Sequence, residues 1–224
     1  MKIIVLIPTF NPTEKILDVI KNLEDNKISD IVIVNDGSDI EHLKYLKGIK
    51  YPIVTHEINM GKGAALKTGF NYIDKNIKKY DGVLTIDDDN QHDIDSILRV
   101  MKAFRKHTII GYRNFNTAGV PAHRAFGNKL SNKLFYKLYK YKIHDTQTGL
   151  RIYSKNDIKK IISLESNGFE YELEALIHLI KLGNHIDQEP INTIYNKEPN
   201  ASHYKVIRDS YRVYKIMFSN LNKK

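Results

Sequence analysis

The chain has 224 residues, enough for one α/β domain, and its 42% hydrophobic and 27% charged residues are typical of a globular protein rather than a disordered one. It contains no cysteine, which excludes disulfides, thiolate zinc sites and a cysteine nucleophile. The longest early apolar run covers residues 3–7, whereas a spanning helix needs about 20, so neither a signal peptide nor a transmembrane segment is predicted.

The net charge of +9 is concentrated in two segments of the chain. Residues 123–142 carry six basic residues and no acid, and residues 204–224 carry six basic residues and one acid. The two segments together carry +11, which leaves about −2 for the rest of the chain. The basic excess therefore belongs to these two segments and not to the fold as a whole.

Strand-like and helical patterns alternate from the first residue onwards. Strands are predicted at residues 2–7, 30–35, 53–56, 82–86, 108–112 and 150–153. Helices are predicted at residues 13–25, 62–77 and 94–104, with a short helix after the turn at Asp36. This alternation predicts an α/β fold with a mainly parallel sheet and helices on both faces, whose ligands bind beyond the carboxyl ends of the strands.

Three consecutive aspartates, Asp87, Asp88 and Asp89, follow the strand predicted at residues 82–86. In extended backbone the side chains of Asp87 and Asp89 face the same way while Asp88 points elsewhere. Two converging carboxylates need a cation, and oxygen ligands favour magnesium or manganese. The alternative is an acidic turn before the next helix, with Asp93 as its N-cap.

Two other turns fall at the same edge of the predicted sheet. The glycine-rich stretch around Gly61 and Lys62 matches neither a P-loop nor a dinucleotide fingerprint, which favours a helix start where glycine permits close packing. Asp36 stands in an aspartate-glycine turn, and at a strand end its carboxylate could accept a hydrogen bond from a nucleotide base or ribose.

Five short motifs occur in order along the chain, and together they resemble the inverting glycosyltransferase family 2 over roughly residues 2–203. They are Pro8-Thr9-Phe10-Asn11, Asn35-Asp36-Gly37-Ser38, Asn59-x-Gly61-Lys62-Gly63, Asp87-Asp88-Asp89-x-Gln91-His92 and Asp145-Thr146-Gln147-Thr148-Gly149. The pattern is most similar to the dolichyl- or polyprenyl-phosphate hexose synthases. The resemblance implies a GT-A fold, in which a Rossmann-like nucleotide half is joined to an acceptor half. We predict a GT-A glycosyltransferase domain at residues 1–203, followed by a basic amphipathic helix at 204–224.

The resemblance also implies roles for individual residues. The nucleotide-sugar donor would be bound by Pro8, Thr9, Phe10, Asp36, Lys62, Asp88, Lys197 and Ser202. Mg²⁺ or Mn²⁺ would be held by Asp87, Asp89 and Gln91. Catalysis would involve Asp89, Arg113, Arg124 and Asp145, with the two arginines on phosphate oxygens.

Some of these assignments leave alternatives open. Asp145 is either a general base toward a hydroxyl acceptor, a residue that positions the acceptor or Arg113, or a turn residue. The chain also departs from the family pattern, with Pro12 where a glutamate is common and with Lys197 and residues 200–203 in place of an Arg and a Gly-x-Ser-Lys motif.

Both basic segments are predicted to form amphipathic helices. The apolar stripe of the first is Phe126, Leu130, Leu134, Leu138 and Tyr141, and that of the second is Ile207, Tyr211, Tyr214, Phe218 and Leu221. Such faces suit an anionic membrane surface. Packing on the core or on a second subunit is the alternative. No recognition motif indicates nucleic acid.

The expected function is transfer of a hexose from a UDP- or GDP-sugar to a polyprenyl phosphate, by a cytoplasmic enzyme peripheral on the inner face of the cell membrane. One alternative is a family-2 enzyme that glycosylates a saccharide hydroxyl with Asp145 as its base. The other is a non-catalytic module that binds a nucleotide sugar.

Overall fold

A computed structural model describes residues 1–115, 122–192 and 206–221, without the side chains of 122–126 and 206–207. The strands are β1 Ile3–Thr9, β2 Ile31–Asn35, β3 Ile53–Thr55, β4 Gly82–Thr85, β5 Thr108–Arg113, β6 Arg151–Ser154 and β7 Ile186–Ile191. The helices are α1 Lys15–Asp25, α2 Lys62–Asn76, α3 Ile94–Ala103, α4 Ala122–Tyr139, α5 Lys155–Ile161, α6 Tyr171–Lys181 and α7 Val206–Ser219, with a 3₁₀ helix at Ile40–Tyr45.

The seven strands form one sheet in the order β3-β2-β1-β4-β6-β5-β7. Every adjacent pair is parallel except those of β6, which runs antiparallel to both β4 and β5. The prediction of a mainly parallel sheet is therefore confirmed. Since β6 is reversed, the segment that enters it lies at the edge where β1, β2, β4 and β5 end, and Thr85 pairs with Arg151 there.

The core consists of two hydrophobic clusters, one on each face of the sheet. Strand β1 contributes to both because successive side chains of a strand point to opposite faces. Ile4 and Leu6 pack with α2, α5, α6 and α7, whereas Val5 and Ile7 pack with α1 and α3. Burial on both faces explains why β1 is an almost uninterrupted apolar run.

No element is predicted for residues 155–191, where the structure has α5, α6 and β7. Residues 171–177 of α6 are all buried, so the helix lacks the polar stripe that makes an amphipathic pattern recognisable. Strand β7 is IDQEPI, and its proline and charged residues suit an edge strand rather than a central one. The prediction missed α6 and β7 because their patterns depend on where they lie in the fold, and the local sequence does not contain that information.

Both basic segments form helices, and Tyr214 of the stripe predicted for α7 packs partly buried against the core. The described buried residues of α7 are Asp209 together with Val213 and Met217, which join the core cluster beside α6. Tyr211 and Phe218 are 68% and 53% exposed. The predicted stripe is therefore wrong as a single face, because the core binds the side of α7 about one-third of a turn away.

In α4 the core-facing residues are Ser131 and Phe135, with Leu134 and Leu138 partly buried beside them. Leu130, which belongs to the predicted stripe, is exposed. Within the described residues, no helix is both long and apolar enough to cross a membrane. The predicted domain boundary between residues 203 and 204 lies outside the described part.

Candidate active site

A cavity of about 870 Å³ opens at the edge where β1, β2 and β4 end. This volume lies in the range of small-molecule and cofactor sites. The described lining comes from the ends of three strands, the start of α2, the loop at 165–170 and α7. The polar residues that matter most are Thr9, Asp36, Lys62, Asp87, Asp88, Asp89, Arg208, Arg212 and Lys215.

The three aspartates line the cavity, but their geometry differs from the prediction. Strand β4 ends at Thr85, and the backbone bends through Asp88 to Asn90, whose φ is +59°. The premise of extended backbone through Asp89 is therefore wrong, although Asp87 and Asp89 both line the cavity. Among the described residues, no three His, Asp or Glu side chains are grouped to hold a metal ion.

Each aspartate has its own partner. Asp87 accepts a hydrogen bond from the Lys62 ammonium at 2.7 Å. Asp88 accepts one from the Thr9 hydroxyl, and Asp89 accepts one from the backbone N–H of Gln91 at 3.1 Å. Gln91, a predicted metal ligand, does not belong to the described cavity lining.

The electrostatics show an excess of negative charge at these residues. Burial, together with the charges of Asp87 and Asp89, raises the pKa of Asp88 to about 7. Burial and the charge of Asp87 also raise the pKa of Asp89. Burial opposes ionisation of Asp87, but attraction to Lys62 outweighs it and holds its pKa well below the usual range. Crowded carboxylate oxygens of this kind fit Mg²⁺ or Mn²⁺, provided that the side chains turn toward a common point.

Lys62 lies in a buried ionic network that sequence reasoning missed. Its ammonium is 2.7 Å from Asp87 Oδ1 and 2.9 Å from Glu172 Oε2. Burial lowers the pKa of Lys62, but the two carboxylates more than compensate and raise it. Lys62 lines the cavity as predicted, yet its charge is already neutralised by protein carboxylates.

The network continues to Arg151, which is fully buried in β6. Its guanidinium donates to the backbone oxygens of Thr146, Thr148 and Glu172, and its Nε lies 3.9 Å from the Glu172 carboxylate. An arginine within a predicted buried strand was the one available signal, since such a residue needs an acidic partner. The partner itself, 21 residues further along the chain, was not identifiable.

Asp36 is buried where β2 ends, and it fixes the loop that precedes α2. Its carboxylate accepts from the backbone N–H groups of Met60 and Gly61 at 2.9 and 2.7 Å, and it contacts His56 Nδ1 at 2.7 Å. Gly61 has a φ of +100°, and a Cβ there would lie 2.5 Å from the backbone oxygen of Asn167. Glycine is therefore required for close packing, as predicted for this stretch.

Arg113 and Asp145 form a bidentate ion pair at the end of β5. Arg113 Nε donates to Asp145 Oδ2 at 2.6 Å and Nη2 donates to Oδ1 at 3.1 Å. Asp145 has no exposed surface, and it also accepts from the backbone N–H of Gln147. Neither residue belongs to the described cavity lining. The Asp145 carboxylate is thus buried and held by Arg113, which favours the predicted role of positioning Arg113 over that of a general base.

The remaining predicted residues are placed only in part. Pro8, Thr9 and Phe10 line the cavity at the end of β1, as predicted. Arg124 lies in α4, and its side chain is outside the described part. Lys197 and Ser202 also lie outside the described residues.

The class of protein follows from the sequence, which belongs to Glycosyl transferase family 2, since the family model matches residues 4–162. An uncharacterized protein of Methanocaldococcus jannaschii is 30% identical over 98% of this chain and 93% of its own. UDP-N-acetylglucosamine--dolichyl-phosphate N-acetylglucosaminyltransferase of Methanococcus voltae is 28% identical over 99% of this chain and 97% of its own. The predicted family is confirmed.

A solved structure supports the fold independently. Glucosyl-3-phosphoglycerate synthase from Mycobacterium tuberculosis, in complex with Mn²⁺, UDP-glucose and phosphoglyceric acid, superposes with a TM-score of 0.75. The match covers 100% of this chain and 80% of that one at 16% identity. The predicted GT-A fold is therefore confirmed.

Proposed function

We propose that the protein transfers a hexose from a nucleoside diphosphate sugar to a polyprenyl phosphate of the dolichyl type, with Mg²⁺ or Mn²⁺ as cofactor. The observation that carries the proposal is the cavity at the strand ends lined by Asp87, Asp88 and Asp89. It is supported by the full-length similarity to an enzyme named for its dolichyl-phosphate acceptor. The base of the donor, uridine or guanosine, is left to experiment.

The donor is proposed to lie along the ends of β1 and β2. Pro8, Thr9 and Phe10 supply one wall for the base and ribose, and Asp36 holds the backbone at Met60 and Gly61 beside them. Thr9 is hydrogen-bonded to Asp88, so the wall is connected directly to the acidic centre. Asp36 therefore supports the pocket through the loop that it holds, in addition to any contact with the nucleotide.

Asp87 and Asp89 are the proposed metal ligands, with Gln91 joining them after a change in its orientation. A bound divalent cation would neutralise the charge that develops on the departing diphosphate. Lys62 already lies 2.7 Å from Asp87 and positions that carboxylate at the cavity. Asp89 lines the cavity between Asp88 and Asn90, and we propose that metal binding depends on it most.

The acceptor chemistry agrees with the environment of Asp145. A phosphate monoester is already ionised near pH 7, so its oxygen can attack the anomeric carbon without a general base. The new C–O bond forms as the bond to the diphosphate breaks, with inversion at that carbon. Transfer to a saccharide hydroxyl needs a base that contacts the acceptor, so the burial of Asp145 supports a phosphate acceptor over a hydroxyl.

We also propose that the protein is peripheral on an anionic membrane at the cytoplasmic face. Tyr211 and Phe218 are exposed on α7, and Leu221 is exposed just beyond its end. Arg208, Arg212 and Lys215 lie on the adjacent side of the same helix. Aromatic rings beside basic residues suit the interface of an anionic bilayer.

The test compares wild-type protein with Asp89→Ala in a transfer assay. UDP- and GDP-sugars are offered with a polyprenyl phosphate or with a panel of saccharides, in Mn²⁺ or in excess EDTA. We expect transfer only to the polyprenyl phosphate, loss of activity in EDTA, and on the order of a hundredfold lower turnover for Asp89→Ala. Full activity in EDTA would refute metal dependence, and transfer to a saccharide alone would refute the acceptor. Tight donor binding without turnover on any acceptor would indicate a binding module.

A further inference from the structure

The cavity must accommodate several anionic groups if the proposed function is correct, and few of its cations are available to them. Among the described lining residues, the cations are Lys62, Arg208, Arg212 and Lys215. Lys62 is held by the carboxylates of Asp87 and Glu172. Arg208 forms an ion pair with the buried Asp209 at 3.1 Å. Arg212 and Lys215 form no ion pair with any residue in the described ranges.

Arg212 and Lys215 are suitably placed to act together. Residues three and four apart lie on the same side of a helix, so Arg208, Arg212 and Lys215 form one continuous basic face of α7. That face lines the cavity, whereas Val213 and Met217 anchor the opposite side of the helix in the core. The basic face is therefore held at the cavity by packing and does not depend on a ligand for its position.

One of the two arginines first expected to bind the acceptor phosphate, Arg113, is already engaged, and the side chain of the other, Arg124, lies outside the described part. Arg113 is engaged by Asp145 through two hydrogen bonds, and it does not belong to the described lining. A phosphate monoester that enters the cavity would be repelled by the three aspartates unless a cation lay nearby. Within the described lining, α7 is the element that offers such cations.

We infer that Arg212 and Lys215 form an anion-binding wall of the cavity that receives the phosphate of the acceptor, an inference that rests on the proposed function. The exposed Tyr211 and Phe218 of the same helix would lie at the bilayer surface, where the phosphate of a membrane-embedded polyprenyl chain is located. Helix α7 thus joins the membrane surface to the reaction cavity, and the acceptor phosphate passes from one to the other along its basic face.

The test uses the double variant Arg212→Gln/Lys215→Gln in the full chain. Its matched control is Lys21→Gln/Lys102→Gln, which removes the same charge from exposed positions on α1 and α3 that do not line the cavity. The probe is geranyl phosphate, an isoprenyl monophosphate, titrated calorimetrically in the presence of UDP and Mn²⁺. Inorganic phosphate and geraniol separate recognition of the phosphate from recognition of the chain, and phosphatidylglycerol vesicles report association with lipid headgroups.

We expect geranyl phosphate to bind the wild type and the control equally, and the cavity variant on the order of tenfold more weakly, with UDP affinity unchanged in all three proteins. Inorganic phosphate should show the same dependence, and geraniol should show none. Equal affinity of the two double variants for geranyl phosphate would overturn the inference. Failure of geranyl phosphate to bind the wild-type protein would overturn it as well. Reduced UDP affinity in the cavity variant would assign the cations to the donor instead.

Two further outcomes distinguish the inference from related ideas. Reduced vesicle binding with unchanged geranyl phosphate affinity would place the cations at lipid headgroups and overturn the inference. Geranyl phosphate binding that depends on Arg212 and Lys215, in a protein that transfers no sugar to any polyprenyl phosphate, would support the anion site while refuting the proposed function. Sugar transfer to a polyprenyl phosphate with the same acceptor KM in both double variants would support the proposed function and refute the anion site.

Discussion

Replacement of Lys62 by methionine tests the ionic network beneath the cavity. Methionine keeps most of the side-chain volume and removes the ammonium that lies between Asp87 and Glu172. Two carboxylates would then lose their shared cation in a buried environment. Within the described part of the chain, the cation left beside Glu172 would be Arg151, whose Nε is 3.9 Å from the carboxylate. We therefore expect a clear loss of stability rather than a local change in charge.

The magnitude follows from the distances and the burial of the three groups. At an effective dielectric constant of about 20, a charge pair at this separation attracts with roughly 6 kcal/mol before desolvation is counted. Desolvation cancels much of that, and removal of one partner from a buried pair typically costs about 3–5 kcal/mol. The Asp87 side chain is 33% exposed while that of Glu172 is 9% exposed, so solvent screens the first pair more. We expect a loss of about 3 kcal/mol, which lowers Tm by roughly 6–12 °C for a chain of this size.

The assay is urea unfolding followed by circular dichroism, with Lys67→Met as the matched control. Lys67 lies on the same helix, but its ammonium donates to neutral oxygens of Leu164 and Asn167. A second variant, Lys62→Met/Glu172→Gln, removes the carboxylate left behind and should be more stable than Lys62→Met alone. The reasoning is refuted if Lys62→Met loses no more stability than Lys67→Met, or if Glu172→Gln gives no recovery.

Three further outcomes are expected. Asp36→Ala should weaken nucleotide binding in calorimetric titration and lower the free energy of unfolding by about 2 kcal/mol, because two backbone N–H groups lose their buried acceptor; unchanged values would show that this carboxylate is dispensable. Gly149→Ala places a Cβ 2.5 Å from Asp87 Oδ2, so turnover should fall roughly tenfold to a hundredfold, whereas Gly127→Ala has open space and should not alter it. Tyr211→Ser with Phe218→Ser should remove the salt-resistant part of sedimentation with anionic vesicles and spare donor turnover; full sedimentation at high salt would exclude aromatic insertion.

Much of the sheet was predictable from the sequence because its strands carry continuous apolar runs and its helices α1 and α3 show one apolar face. These features arise because the core covers both faces of the sheet, and they are visible in the spacing of apolar residues along the sequence. The direction of β6 was not predictable, because a buried strand of four residues has the same apolar pattern whether it runs parallel or antiparallel to its neighbours. Helix α6 escaped prediction because its burial on most sides removes the contrast between apolar and polar faces.

The positions around the cavity were predictable to a large extent, but their contacts were not. Ordered motifs identified Thr9, Asp36 and the three aspartates, and all of them line the cavity. Motifs do not report which charges neutralise each other across long sequence separations. The contact of Lys62 with Glu172 depends on the way in which the fold brings distant segments together, whereas the contact of Arg113 with Asp145 was one of the alternatives that the motifs offered.

In helix α7, too, the sequence does not show which part of the protein each side of the helix contacts. Its sequence shows an aromatic stripe beside basic residues, which alone indicates a membrane surface. The structure adds a third side, where Val213 and Met217 enter the core, and this side rotates Arg212 and Lys215 toward the cavity. Because one short helix serves the core, the cavity and the exposed surface, its truncation would disturb all three. Substitutions restricted to one side of α7 are therefore the appropriate way to separate membrane association from acceptor binding.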